Sequence, residues 1–304
     1  MAGLERGGRF PDSVEARDAL MFQILSHLRN KAVMNAFDQV DRKDFVPPGS
    51  EELAYKNEII QLGDGSSISQ PTLVAEMLDL SALTGEEIVL EVGTCSGYSA
   101  AVTSCCAKKV YTIEHDPELA KGARERLGNL GYENVEVVEG DGALGLPDKG
   151  PFDSIIVTAG LKGDPRNLET YRSFLNQLNP VFGRLVVPVG TDPKHQYLTV
   201  VTAINGSVGI ARGERVTFVP LMSDQKGGWT KEEINKVTQH KLDIINSIME
   251  KHNLSFEEVK KGMGKILDLP FPDEFSAEDL SAYLSLDVLE GIGMKLGLPI
   301  EAQS

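Results

Sequence analysis

The chain has 304 residues and a net charge of −15, within an ordinary globular composition of 41% apolar and 25% charged residues. The negative charge disfavours nucleic acid as a partner, because phosphates are repelled over much of the surface. No apolar run reaches the ~18 residues of a membrane span, and the N-terminal stretch lacks the apolar core of a signal peptide. The three cysteines fit neither a disulfide framework nor a metal-binding pair. We therefore expect a cytoplasmic protein that binds neither nucleic acid nor membranes.

Two short helices are predicted near the start of the chain, between residues 12 and 39. Apolar residues recur there at helical spacing, as at Leu20, Ile24 and Leu28. The polar, glycine-punctuated stretch Gly63–Pro71 follows and is predicted to be a loop. Its proline stands where the first turn of a helix tolerates it, so an amphipathic helix is predicted to begin there.

From Glu87 onward the pattern alternates between strands and helices. The predicted strands are EIVLEVG, KVYTIE, NVEVVEGD, FDSIIVTA and GRLVVPVG, followed by QYLTVVTAI and RVTFVPL at an antiparallel edge. Helices are predicted at 98–107, at 117–131 and near 168–178. This alternation predicts an α/β fold with a doubly wound, mostly parallel sheet, in which ligands bind beyond the carboxyl ends of the strands.

The end of the chain is predicted to form a small, separate C-terminal helical domain. It carries patterns of a capping residue followed three positions later by an acidic residue, at Thr230/Glu233, Ser255/Glu258 and Ser276/Asp279. These starts predict about three helices. We expect a main domain over residues 1–229, including the N-terminal helices, and a helical domain over residues 230–304.

A glycine loop with nearby acidic residues indicates a nucleoside site. EVGTCSG (Glu91–Gly97) follows a strand and opens a helix, where a ligand can approach the backbone. It is not a dinucleotide loop, because Cys95 replaces the middle glycine; we expect that side chain to be a small buried spacer. Glu114 ends the next strand, where it suits ribose hydroxyls. Asp141 ends the strand after that, where an adenine amino group can donate to it. These features on three successive strand ends predict an S-adenosylmethionine pocket.

With these residues in place, the sequence resembles the protein-L-isoaspartate (D-aspartate) O-methyltransferase family from about Asp41 to Trp229. The shared stretches include DRKDFVPP, GDGSSISQPTLVAEML, VLEVGTCSGYSAAV, VYTIEHDPELA, EGDGALGLP, FDSIIVTAG and FVPLMSDQKGGW. The resemblance implies a Rossmann-like methyltransferase fold with S-adenosyl-L-methionine as the methyl donor. It also implies an isoaspartyl residue in a damaged protein or peptide as the acceptor, and hence a role in protein repair.

The resemblance also assigns roles to individual residues. It makes Ser69 the active-site hydroxyl of a substrate loop that folds over the sheet; a helix N-cap is the alternative role for this residue. The predicted cofactor-binding residues are Ser66, Ser67, Ile68, Glu91, Gly93, Thr94, Cys95, Gly97, Glu114, His115, Asp141 and Gly142. In the family pattern Gly93 lies at the methionine end, Glu114 and His115 at the ribose, and Asp141 with Gly142 at the adenine.

Two departures from the family pattern leave the acceptor open. Residues 160–174 replace an alanine- and proline-rich segment that lines the isoaspartyl site in the family, and the C-terminal helices lie outside the common core. A related enzyme that methylates a normal aspartate of a ribosomally made peptide, leading to an aspartimide, is therefore an alternative. A small-molecule O-methyltransferase is a more distant one, since IIVTAG lacks the carboxylates that hold its metal, and no metal site is predicted. A third alternative is a protein that binds the cofactor but does not catalyse a reaction. The sequence predicts no oligomeric state.

Overall fold

The computed structural model describes residues 13–26, 28–63, 66–225, 227–267 and 275–295. The chain divides into two compact units. The first takes in the described residues of Met1–Thr158, Tyr171–Val187 and Thr199–Ala211, and the second those of Ala159–Thr170, Pro188–Leu198 and Arg212–Ser304. The division predicted between residues 229 and 230 stays a prediction.

Two helices open the described chain, as the apolar spacing predicts: α1 (Ser13–Leu25) and α2 (Lys31–Gln39). Leu20 and Ile24 of α1 are buried, so the predicted stripe faces the interior. The side chain of Asn30 accepts a hydrogen bond from the N–H of Ala32 and caps α2. The predicted start at residue 12 lies outside the described residues.

The hydroxyl-rich stretch forms a hairpin strand, so the prediction of a loop is wrong for residues 66–68. Strand β1 (Ile60–Gly63) pairs antiparallel with β2 (Ser66–Ile68), and α3 (Pro71–Ser81) follows after two residues. The segment is difficult to predict because β2 has only three residues, which is too short for an alternating pattern. The two residues between the strands lie outside the described ones.

The core of the first unit is parallel, as the alternation of strands and helices predicts. It consists of β3 (Ile88–Val92), α4 (Tyr98–Ser104), β4 (Lys109–Glu114), α5 (Pro117–Asn129), β5 (Val135–Glu139) and β6 (Ser154–Val157). Strand β3 pairs in parallel with both β4 and β6, and β4 pairs in parallel with β5. The chain therefore runs outward from β3 to β5 and returns to β6 on the other side of β3. The sheet changes direction between β3 and β6, which is where doubly wound sheets bind ligands.

The remaining elements extend the sheet to the order β10-β9-β8-β6-β3-β4-β5. They are β7 (Leu161–Lys162), α6 (Arg172–Leu175), β8 (Phe182–Asp192), β9 (His195–Ile204) and β10 (Ser207–Val216). Asn205 and Gly206 join β9 to β10 with φ of 48° and 79°. Positive φ at both central residues is typical of the type I′ turn of an antiparallel hairpin, in agreement with the predicted antiparallel edge.

Two predicted elements are displaced or shortened. The last strand is not RVTFVPL, because β10 ends at Val216. Beyond it, the N–H of Phe218 donates to the side chain of Gln196 at 2.8 Å, and Pro220 has no N–H for a strand ladder. Most β10 residues are exposed, so an apolar alternation does not mark this strand. The helix predicted near 168–178 is a 3₁₀ turn followed by the four residues of α6.

The C-terminal region contains four helices among its described residues, one more than predicted. They are α7 (Lys231–His252), α8 (Phe256–Leu267), α9 (Ala277–Tyr283) and α10 (Leu286–Lys295). The three predicted capping pairs are present at α7, α8 and α9. The fourth helix has no such pattern, because the N–H of Leu286 donates instead to the distant carboxylate of Asp192 at 3.0 Å. None of the helices in the described ranges is long and apolar enough to cross a membrane.

Candidate active site

The glycine loop begins at the switch point of the sheet. Gly93 follows β3 with φ of +100°, and its N–H donates to the carbonyl of Ile113 at 2.9 Å. A Cβ at this position would lie 2.4 Å from Oγ1 of Thr158, so only glycine fits. The Thr158 hydroxyl lies 2.9 Å from the carbonyl oxygens of Val92 and Gly93. Thr158 thus fixes the start of the loop from the end of β6, a role that the sequence pattern does not indicate.

A buried carboxylate supports the loop from beneath. Glu91 is fully buried, and its Oε1 accepts a hydrogen bond from the hydroxyl of Thr112 at 2.8 Å. The Thr94 hydroxyl lies 2.7 Å from that of Thr112. A series of hydrogen bonds therefore connects Glu91 to the loop through these two threonines. Burial raises the pKa of Glu91 to about 7, although the side chains of Ser99 and Thr112 work in the opposite direction. Glu91, predicted to bind cofactor, therefore lies under the loop and holds it through two threonines.

Glu114 connects the end of β4 to the glycine loop. Its side chain is almost fully buried, and Oε2 accepts a hydrogen bond from the N–H of Cys95 at 2.7 Å. Oε1 accepts from the N–H groups of His115 at 2.9 Å and Asp116 at 3.1 Å. A carboxylate offers about four acceptor positions, so one position on Oε2 stays available for a ligand hydroxyl. The side chain of His115 is exposed beside it.

Cys95 occupies the middle of the loop in the left-handed region, with φ of +51°. This conformation costs a non-glycine residue roughly 1–2 kcal/mol. Its Sγ lies 3.2 Å from the carbonyl oxygen of Ser67 in β2 and donates to it. Burial and then the charge of Glu114 raise the pKa of the thiol to about 11. The side chain is therefore a protonated donor that joins the loop to the hairpin.

The hairpin carries the predicted substrate hydroxyl into the same region. Ile68 is buried, and the Ser66 hydroxyl donates to the carbonyl of Gly63 at 2.8 Å. Gln70 is the N-cap residue of α3, so Ser69 is not the helix cap. Within the described part of the chain, no residue forms a hydrogen bond with the Ser69 hydroxyl. That hydroxyl is therefore available to a ligand.

The third strand end lies at the turn after β5. The N–H of Gly140 donates to the carbonyl of Glu114 at 2.8 Å, which fixes this turn to the end of β4. The carboxylate of Asp141 accepts from the N–H of Ala143 at 2.9 Å and caps a 3₁₀ turn that begins at Gly142. All three strand ends singled out from the sequence are thus linked by hydrogen bonds, with β2 attached through Cys95.

In the second unit, the segment that departs from the family pattern contacts the first turn of α7. Lys162 forms an ion pair with Glu233, and its Nζ lies 5.7 Å from the ring centroid of Trp229. Glu233 also closes the capping box of α7 with Thr230. A cavity of about 450 Å³ lies here, and its lining includes Lys162, Asp164, Glu169, Asp224 and Glu233. Residues 162–170 of the altered segment and the first turn of α7 therefore line one cavity.

Comparison with known proteins identifies one family over most of the chain. The model of the protein-L-isoaspartate (D-aspartate) O-methyltransferase family matches residues 16–226. A protein-L-isoaspartate O-methyltransferase 2 of Pelobacter propionicus is 45% identical over 204 residues, which cover 66% of this chain and 86% of that protein. The protein-L-isoaspartate O-methyltransferase of Pelotomaculum thermopropionicum is 40% identical over 219 residues, which cover 72% of this chain and 92% of that protein.

Solved structures agree with the fold. A protein-L-isoaspartate O-methyltransferase superimposes with a TM-score of 0.61 at 23% identity, covering 75% of this chain and 70% of that one. A Plasmodium falciparum protein of the same description, in complex with S-adenosyl-L-homocysteine, gives a TM-score of 0.56 at 22% identity, covering 68% of this chain and 98% of that one. At these identities the likeness shows a common fold, the Rossmann-like sheet of the methyltransferases.

Proposed function

Because the chain belongs to the protein-L-isoaspartate (D-aspartate) O-methyltransferase family, we propose that it methylates the carboxylate of L-isoaspartyl residues in damaged proteins or peptides. The methyl donor is S-adenosyl-L-methionine. The observation that carries the proposal is a pair of hydrogen bonds made by Cys95, one to the Ser67 carbonyl and one to the carboxylate of Glu114. It joins the hairpin that bears Ser69 to the glycine loop and to the acidic end of β4.

The residues of the glycine loop fit this cofactor. The open acceptor position on Glu114 suits a ribose hydroxyl, and the carboxylate of Asp141 suits the amino group of adenine. Backbone at Gly93 allows the close approach that the methionine end requires. When bound, S-adenosyl-L-methionine supplies a methyl group already activated by its sulfonium.

The task of the protein's own residues is positioning. An aspartyl-type carboxylate has an ordinary pKa near ~4 and is ionised at neutral pH, so it needs no general base to become a nucleophile. Ser69 donates its hydroxyl to one oxygen of this carboxylate and orients the other toward the methyl donor. Fixing two reactants in such a geometry can contribute roughly 7–11 kcal/mol to the rate. The hairpin covers the reacting groups and excludes water.

A second acceptor class has one observation in its favour. Residues 161–170 carry charged groups and contact the first turn of α7 through the Lys162–Glu233 ion pair, which gives the acceptor segment a neighbour that the common family core lacks. This arrangement suits an enzyme that methylates a normal aspartate in a dedicated peptide.

For either acceptor, residues 230–304 act as a helical domain. The composition predicts a cytoplasmic enzyme.

Methyl transfer to paired peptides tests the proposal. Labelled S-adenosyl-L-methionine is supplied with two peptides that are identical except for isoaspartate or normal aspartate. Transfer to the isoaspartyl peptide alone is the expected result. Transfer to the aspartyl peptide alone would favour the peptide-modifying alternative. Transfer to neither, with the cofactor bound in calorimetry, would contradict both acceptor assignments while leaving the methyl donor in place.

A further inference from the structure

A buried arginine lies behind the predicted substrate hydroxyl. Arg42 is only 2% exposed and donates to backbone carbonyls in two separate segments. One nitrogen, Nη1, donates to Ala54 at 3.2 Å and Lys56 at 3.0 Å. The other, Nη2, donates to Glu58 at 3.0 Å and to Ser69 at 3.1 Å. The guanidinium therefore fixes Ser69 relative to residues 54–58.

The four hydrogen bonds are the main compensation for burying the positive charge of Arg42. Burial lowers the pKa of Arg42, and the electrostatic interaction with Tyr98 works in the opposite direction. The guanidinium also lies over the Tyr98 ring, 5.7 Å from its centroid. No carboxylate in the described part of the chain forms a salt bridge with it. Hydrogen bonds from a charged donor are roughly twice as strong as neutral ones. The four carbonyls are thus the main partners of this cation, and each is held firmly.

The shape of the guanidinium turns these bonds into a geometric constraint. Its nitrogens form a planar, rigid fork, so the carbonyl of Ser69 takes one orientation with respect to those of residues 54–58. That carbonyl defines the peptide plane immediately after Ser69. On the preceding side, β2 is paired with β1, and the Ser67 carbonyl accepts from Cys95. The backbone on both sides of Ser69 is therefore fixed.

We propose that Arg42 is a positioning residue for methyl transfer. It sets the peptide plane at Ser69 and thereby aims the Ser69 hydroxyl at the acceptor carboxylate, without touching the substrate itself. The inference rests on the proposed function, because it needs Ser69 to act on an isoaspartyl carboxylate. Its effect is mainly on turnover, since the cofactor-binding residues after β3, β4 and β5 form no hydrogen bond with Arg42, and only the predicted cofactor contacts of residues 66–68 lie on the hairpin that it holds.

Arg42→Lys and a matched control test the proposal. Lysine keeps the charge but loses the fork. The control is Arg184→Lys: Arg184 also donates to a backbone carbonyl, Leu80 at 2.8 Å, and lies near an aromatic ring, Phe182, at 5.9 Å. For each variant we would measure kcat and KM with the isoaspartyl peptide, the Kd for S-adenosyl-L-methionine, and thermal unfolding.

We expect Arg42→Lys to lower kcat by up to about a hundredfold, the usual consequence of a misplacement near 1 Å. The cofactor Kd should change far less than kcat, and Arg184→Lys should keep the wild-type kcat. In Arg42→Ala, guanidinium chloride below denaturing concentrations should restore part of kcat, whereas sodium chloride at equal ionic strength should not. Hydrogen exchange in residues 66–73 should rise in Arg42→Lys only.

Several results would overturn the proposal. One is a kcat for Arg42→Lys equal to that of Arg184→Lys. Another is a fall in kcat accompanied by equal losses of cofactor binding and folded protein, without rescue by guanidinium, which would make Arg42 merely structural. A wild-type protein that binds cofactor but methylates no isoaspartyl peptide would refute the proposed function and this inference with it. An active wild type with an unaffected Arg42→Lys would refute the inference alone.

Discussion

The thiol of Cys95 donates a hydrogen bond to the carbonyl oxygen of Ser67 across 3.2 Å, although the two residues are 28 positions apart in the chain. With its pKa raised to about 11 by burial and then by the charge of Glu114, the thiol keeps its proton at neutral pH. It therefore stays a donor wherever the enzyme works near neutrality. This contact attaches the predicted substrate hairpin to the predicted cofactor loop.

Removing this donor should weaken acceptor binding more than cofactor binding. We expect Cys95→Ala to raise KM for the isoaspartyl peptide by up to about fivefold, because an average hydrogen bond contributes about 1 kcal/mol and a thiol is a weak donor. Cys95→Ser keeps a donor at the same position and serves as the control, with a KM close to that of the wild type. Steady-state kinetics at saturating cofactor makes the comparison. Equal KM values for the alanine variant and the wild type would show that the contact does not order the hairpin.

Asp141 should contribute to cofactor affinity directly. Asp141→Ala removes the proposed acceptor for the adenine amino group, and a hydrogen bond to a charged group is typically worth about 1.5–3 kcal/mol, so Kd should rise at least about tenfold. The change also removes the cap on Ala143. Asp141→Asn keeps an oxygen for that cap and separates the two effects. Calorimetry with S-adenosyl-L-homocysteine should give weaker binding for both variants, and an unchanged Kd for both would remove Asp141 from the site.

Glu91 should give the folding stability a distinctive dependence on pH. Its pKa is raised from 4.5 to about 7 by burial, so the folded protein binds this proton more tightly than the unfolded chain does. This contribution to stability is complete below pH 4.5 and is lost as the pH rises through about 7, with a size of roughly 3 kcal/mol. Glu91→Gln keeps an acceptor for Thr112 and should abolish the dependence.

Urea unfolding at about pH 5 and about pH 7.5 provides the measurement, with the wild type and Glu91→Gln compared at each pH. The free energy of unfolding of the wild type should fall more over this interval than that of the variant. Identical changes in the two proteins would mean that Glu91 is ionised in the folded state across the whole range.

Replacing Ser69 should lower turnover without changing the affinity for the cofactor. Ser69→Ala removes the hydroxyl that orients the acceptor carboxylate, and we expect kcat to fall about 10- to 100-fold, as for the loss of a hydrogen bond to a charged group. Ser26→Ala is a suitable control, because that exposed hydroxyl lies outside the predicted site and donates to the carbonyl of Gln23 at 2.9 Å. Single-turnover rates with the cofactor prebound separate chemistry from binding. A fully active Ser69→Ala protein would leave this residue without a role in the reaction.

The parts of the site that the sequence predicts are those that follow strand ends. Gly93, Glu114 and Asp141 each lie just after or at the end of a parallel strand, and the carboxyl ends of such strands meet at one edge of the sheet. Local patterns therefore suffice to bring them together. The C-terminal capping boxes are predictable for the same reason, since partners lie three residues apart.

The parts that the sequence misses depend on distant partners. Arg42 bonds to carbonyls 12 to 27 residues away, and Thr158 contacts backbone 65 and 66 residues away. Since every residue has a backbone carbonyl, nothing in the sequence indicates which carbonyls will accept hydrogen bonds from these side chains. Helix α10 is not predicted from the sequence, because the N–H of its first residue donates to Asp192, which lies 94 residues earlier. Periodicity cannot reveal contacts of this kind.

Asp192 also provides the last prediction, which concerns the stability of the second unit. Its carboxylate is 1% exposed and contacts the ammonium of Lys241, itself 3% exposed, as well as the imidazole of His195 at 3.2 Å and the N–H of Leu286 at 3.0 Å. Burial alone would raise the pKa of Asp192, but His195 and Lys241 outweigh it and lower the value to about 2. One buried carboxylate thus links the β8–β9 hairpin to α7 and α10.

Replacing Asp192 should therefore destabilise the C-terminal helices. Asp192→Asn leaves Lys241 buried without its counter-charge, which typically costs about 3–5 kcal/mol, and thermal unfolding should occur at a clearly lower temperature. Adding Lys241→Met removes the stranded charge and should recover much of the loss. In the wild type this contribution is complete above pH 3.8 and is lost only as the pH falls through about 2. A single variant as stable as the wild type would mean that Lys241 becomes solvated or loses its proton once its counter-charge is removed, since burial already lowers the pKa of this ammonium.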